Sequence, residues 1–177
     1  MRKQTQQLTL SAMFIALAVL FPMLFHTVNL GTVFLPMFWP VAAAAFFLNL
    51  PLVLAVAVLS PLLSSLMTGM PPISPPILPM LMAELVGLGI VIHFCYKKLN
   101  WSILLSLFLG LIFTRIILLF TIYVAAPIIG LPRQVFSISM LTHGWTGLAT
   151  IFIFLPIFLI LFLVSIIVSR VKQEPIF

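Results

Sequence analysis

Two side chains carry chemistry where the chain is otherwise apolar. Glu84 is the only acidic residue inside the apolar blocks, and Arg115 is the only basic one placed deep within such a block. A carboxylate can accept hydrogen bonds or hold a cation, while a guanidinium can grip a carboxylate through two parallel N–H donors. Charges inside a bilayer are expensive, so each usually faces a partner or a wet cavity. Either the two neutralise each other, or at least one faces a ligand.

Around this pair stands a looser group of polar and aromatic residues: Asn29, Tyr123, His143 and Trp145, with His26 and Trp39 nearby in type. Aromatic faces stack on a heterocycle and a few polar atoms orient it. The alternative for each is ordinary: Trp145 and Trp39 are also what anchors a helix at a membrane interface, and His26 and His143 also suit solvated loops. The chain has no Asp, one cysteine (Cys95), no glycine-lysine phosphate loop and no His-Glu-x-x-His helix. Catalytic, metal-binding and ATP-hydrolysing machinery is therefore not expected from this chain, nor is a cofactor or an internal disulfide.

The elements that must position these residues follow from composition. Of 177 residues, 64% are hydrophobic and 6% charged, far from a soluble domain and close to an integral membrane protein. The apolar residues come in long blocks without strand-like alternation, so helices are expected, in a single membrane domain over residues 1–177. Six spans are predicted, at about 8–25, 37–50, 51–67, 77–96, 101–126 and 144–169. Met1-Arg2-Lys3 followed by an apolar run is reminiscent of a secretory signal, but the run is bilayer-length and is kept as span one.

Charge sets the expected orientation. With both termini cytoplasmic, Arg2, Lys3, Lys97, Lys98, Arg170 and Lys172 lie inside and only Arg133 outside, as the positive-inside rule requires. The net charge of +6 thus reads as a topology signal and not as a nucleic-acid footprint. It also places the loop His26 to Pro36, the loop Thr68 to Pro76 and the segment around His143 on the outer side. Six prolines fall between Leu59 and Glu84, and the four at Pro71, Pro72, Pro75 and Pro76 stiffen the second of these loops. Glu84 lies roughly 12 Å past Pro76 along a helix, and Arg115 roughly 21 Å past Trp101 from the other side, so both reach similar depths in the outer half.

In span one, Ala12-x-x-x-Ala16 sets two small residues one turn apart, where another helix can approach closely, either within this chain or from a partner.

Six spans in about this length, the start RKQTQQLTLSAMFIALAV with its alanine pair, and the block LSPLLSSLMTGMPP running on to MAELVGLG before a basic turn together resemble the substrate-binding S components of energy-coupling factor vitamin transporters. The resemblance covers nearly the whole chain. It implies an S-component-like bundle in a bacterial or archaeal cytoplasmic membrane that captures a water-soluble vitamin or precursor on the outer side. The implied site includes Glu84, Arg115, Tyr123, His143, Trp145 and Asn29, with the loops from His26 and Thr68 as lids. Ala12 and Ala16 would meet a transmembrane coupling protein that bears two cytoplasmic ATPases. A membrane scaffold subunit of a cell-envelope assembly complex is the rival reading, and would need a large partner surface that the short inner loops do not offer.

Overall fold

The computed structural model describes residues 2–27, 34–73, 77–128 and 144–171, which are helical apart from short turns and contain no strand. In chain order the helices are α1 (Arg2–Thr27), α2 (Phe38–Phe47), α3 (Leu50–Thr68), α4 (Ile77–His93), α5 (Ile103–Phe120) and α6 (Trp145–Val171). Helix α4 runs on through a π-helical turn, Phe94–Lys98, and α5 through another, Thr121–Ala125, into Ala126–Ile128. Four stretches are long and apolar enough to cross a membrane: Gln4–His26, Leu50–Thr68, Ile77–Lys98 and Ile103–Ile128. This is the pattern of a membrane-embedded, multi-pass protein. The apolar segments Phe38–Phe47 and Trp145–Leu161 are shorter.

Helix α2 is the axis of the packing. Ten residues rise only about 15 Å, half of a bilayer core, but from Phe38 to Phe46 every side chain except Trp39 is buried. Its contacts are with α1, α3, α4 and α6. The four alanines, Ala42 to Ala45, explain how one helix accepts neighbours on so many sides: small side chains let backbones approach closely. Aromatic contacts close the end of this core, with Phe14 of α1 stacked on Phe47 at 6.2 Å and Tyr96 set edge-on to Phe46 at 5.0 Å.

Helix α4 is the second hub and packs on α3 and, most extensively, on α5. Gly110 of α5 makes that contact tight: a Cβ there would fall 2.6 Å from Ile92 Cγ1. Helix boundaries have local causes. Pro51 occupies the first turn of α3, Gly69 ends α3 in the left-handed conformation at φ 72°, and the Ser102 hydroxyl caps α5 by accepting from the Leu105 amide at 3.3 Å.

Helix α2 ends where the chain turns extended at Leu48, which leaves its last carbonyls without intrahelical donors. Two distant side chains supply them. Lys97 Nζ donates to Leu48 O at 2.7 Å and to Phe47 O at 3.2 Å, and Gln7 Nε2 also donates to Phe47 O at 3.2 Å while its Oε1 accepts from the Asn49 amide at 3.0 Å. The start of α1 and the basic turn after α4 therefore lie at the same end of the molecule, the lysine end. The proline-rich segment lies at the other.

Lys97→Met removes two charge-assisted bonds and is expected to lower stability by about 1–2 kcal/mol. Thermal unfolding in detergent should show a clearly lower midpoint. Lys98→Met, which only removes an ammonium 5.3 Å above the Phe94 ring, should shift it much less.

Candidate functional site

At the proline end, α1, α2, α3 and the start of α4 line a half-open cavity of about 560 Å³. Its wall is mostly apolar, formed by residues such as Pro22, Met37, Phe38 and Leu81, with His26, Ser64 and Thr68 as the polar exceptions. The volume is that of a small-molecule site, and the mix of an apolar wall with few polar groups is the usual one. Leu35 and Pro36 border it from one connecting segment and Met70, Pro71 and Pro72 from the other.

Ser64 and Thr68 hold the second segment in place. Both sit on α3, one turn apart; the Ser64 hydroxyl donates to Met70 O at 2.9 Å, and Thr68 Oγ1 lies 3.3 Å from the same oxygen. Thr68 Oγ1 also accepts from the Met70 amide at 3.2 Å and donates to Ser64 O at 2.7 Å. From the sequence Thr68 is expected only to open the outer loop, and Ser64 has no individual role. The signal was available: two hydroxyls four residues apart just before Gly69 are well placed to catch the chain as it leaves the helix.

Glu84 lies three residues beyond Leu81 on α4, about 4.5 Å further along the axis and nearly on the same face. It is thus one turn deeper than the cavity wall. Its exposure is 6%, and that of Arg115 is 8%. The two are close enough for each charge to act on the other. Among the described residues Arg115 Nε and Nη2 nevertheless have no hydrogen-bond partner, so neither atom donates to Glu84.

The Arg115 guanidinium instead lies against the backbone at the start of α6. A Cβ placed on Gly144 would fall 2.8 Å from Nη2 and 3.0 Å from Nη1, so the absence of a side chain there makes the room the guanidinium occupies. Gly144 O accepts the first bond of α6, from the Leu148 amide at 3.0 Å. Sequence spacing did not single out Gly144, because its partner is 29 positions away.

The other expected site residues are distributed differently. Tyr123, within the π-helical turn of α5, is 62% exposed, and Trp145, the first residue of α6, is 60% exposed. Neither lines the cavity. Asn29 and His143 lie outside the described residues. Trp39 donates from Nε1 to Phe34 O at 3.3 Å and packs against the core.

On α1, Ser11, Phe14, Ala18 and Val19 face the bundle and are buried, whereas Leu8, Ala12, Ala16 and Leu20 form an exposed stripe at four-residue spacing. Among the described residues no group of His, Cys, Asp and Glu could hold a metal. No protein-family model matches this chain, and no curated protein or solved structure does either.

Because the two buried charges act on one another, their removal should be non-additive. Arg115→Met and Glu84→Gln are each expected to destabilise, and the double variant should be more stable than the sum of the two by about 1–2 kcal/mol. Thermal unfolding of the three variants in lipid nanodiscs measures this; strict additivity would show that the pair is not coupled.

Proposed function

We propose that this chain is the substrate-binding S component of an energy-coupling factor importer. It spans the cytoplasmic membrane six times with both termini inside, and captures a water-soluble vitamin or precursor at the proline end. The observation that carries the reading is the cavity of about 560 Å³ bordered by both segments that the resemblance names as lids, with Glu84 one turn beneath its wall.

Two further features support the reading. Gln7 and Lys97 meet at Phe47, so the basic residues near the start of α1 and those after α4 share one end, as a common cytoplasmic side requires. The stripe through Ala12 and Ala16 is exposed, flat enough for another helix, and lies on the side of α1 turned away from the bundle. In the proposed complex this stripe meets a transmembrane coupling protein carrying two cytoplasmic ATPases. Those subunits supply the energy, and this chain supplies the specificity.

Affinity purification of the tagged chain from its native membrane should bring down a coupling protein and two ATPases. Ala12→Trp with Ala16→Trp should reduce that recovery at least about tenfold while leaving the chain monodisperse, since the bulky rings would stand where backbones must approach. Recovery of cell-envelope assembly proteins without any ATPase would contradict the proposal.

A further inference from the structure

We propose that the half-open cavity at the proline end takes an uncharged, flat aromatic ring whose edge carries an N–H or O–H donor, and that the Ser64 and Thr68 hydroxyl oxygens read that donor. This names the ligand class of the site proposed above and rests on that reading for the molecule's uptake, though not for its binding.

The first constraint is charge. Among the residues lining the cavity none is acidic and none is Lys or Arg, and Glu84 and Arg115 are not in its wall. An ionised group seated here would give up water without gaining a counter-charge, so the wall favours a neutral occupant.

The second constraint is a shortage of donors. The Ser64 hydroxyl donates to Met70 O at 2.9 Å, the Thr68 hydroxyl to Ser64 O at 2.7 Å, and the Met70 amide to Thr68 Oγ1 at 3.2 Å. Nearby, the Leu78 amide donates to Pro72 O at 3.2 Å and the Phe38 amide to Leu35 O at 3.0 Å. The prolines of the wall, Pro22, Pro36, Pro71 and Pro72, have no N–H at all. Each hydroxyl has thus spent its proton while its oxygen keeps the capacity to accept. An occupant that brings a donor satisfies these oxygens; one that brings only acceptors leaves its own unpaired on this side. His26, on α1, can serve either way, since a neutral imidazole offers both a donor and an acceptor.

Shape supplies the third constraint. Met23, Met37 and Met70 enter the wall from α1, from just before α2 and from just after α3, and Phe38 adds an aromatic ring. Thioethers are polarisable and make favourable contacts with aromatic rings, and one ring packs on another. A rigid flat body loses little freedom against such a wall, whereas a flexible acyl chain loses much. The volume of about 560 Å³ is ample for a fused bicyclic ring.

The test uses the full-length protein in phosphatidylcholine nanodiscs, with empty nanodiscs to subtract partitioning into lipid. Benzamide and 2-naphthamide are the neutral rings with a donor. Each is compared with its N,N-dimethylamide, which has no donor, and with its carboxylate and its amidinium, which keep the outline and add a charge. Cyclohexanecarboxamide keeps the donor and loses the flat ring. At least one of the amides should raise the thermal midpoint and bind about tenfold or more tightly than every comparison compound. In Ser64→Ala the preference for that amide over its dimethylamide should fall at least about threefold. A mere loosening of the segment at Met70 would weaken both compounds and leave their ratio unchanged.

Should Ser64→Ala fail to fold, the wild-type protein decides: a diazirine derivative of the better amide should label cavity residues such as Met23 or Met70, mapped by mass spectrometry, and excess parent amide should suppress the labelling. No binding of either amide, equal binding of any comparison compound, an unchanged ratio in Ser64→Ala, or labelling confined to α5 and α6 would overturn the proposal. Binding without any ATPase-bearing partner would leave this ligand class standing and remove the importer reading. Recovery of that partner with no response to either amide would do the reverse.

Discussion

A guanidinium taken out of water must find acceptors for its N–H groups, and in a membrane span few are on offer. Arg115 has found a place: Gly144 makes room for it, and the start of α6 lies beside it, but among the described residues Nε and Nη2 have no acceptor. Glu84 offsets the charge without touching that edge. The remaining parts of the site take their meaning from this unsatisfied cation. The cavity one turn above Glu84 and the two buried charges are the features on which the proposed ligand site is built.

The bundle that holds this arrangement is built around a short helix that no lipid touches on most of its surface. Four alanines allow α2 to be surrounded, and the carbonyls left open where it ends are met by Lys97 and Gln7, which reach them from two different helices. The same clamp fixes the lysine end, so that the proline end is where the chain is open enough to form a chamber. Ser64 and Thr68 then tie the segment after α3 back onto that helix at Met70, setting one border of the cavity.

Much of this was legible in the residues. Long apolar blocks predicted helices, and the prolines between Leu59 and Glu84 marked the break that falls between α3 and α4. The lone charges at 84 and 115 stood out because burial of either needs a reason. What was not legible depended on distant partners or on helical phase. Span 37–50 was expected to be longer than α2, because nothing local reveals that Leu48 turns extended to let Gln7 and Lys97 cap the helix. Helix α1 begins near Arg2 and not at residue 8, with Gln7 drawn in by Phe47 and Asn49, some forty positions away. Tyr123 falls in a π-helical turn, which admits an extra residue and rotates the following side chains, so its exposed direction could not be read from a 3.6-residue period. Gly144 was invisible as a cradle until Arg115 lay against it.

The claim on which the account stands is that the buried charges at Glu84 and Arg115 exist for a small molecule and not merely for each other. Native mass spectrometry of the protein, released from nanodiscs prepared directly from its own membrane without added ligand, tests this most directly. The account predicts a second population heavier by a few hundred daltons or less, whose released component is a small water-soluble molecule and is lost in the Arg115→Lys protein. A spectrum containing only the bare chain and lipid, identical for the two proteins, would contradict it.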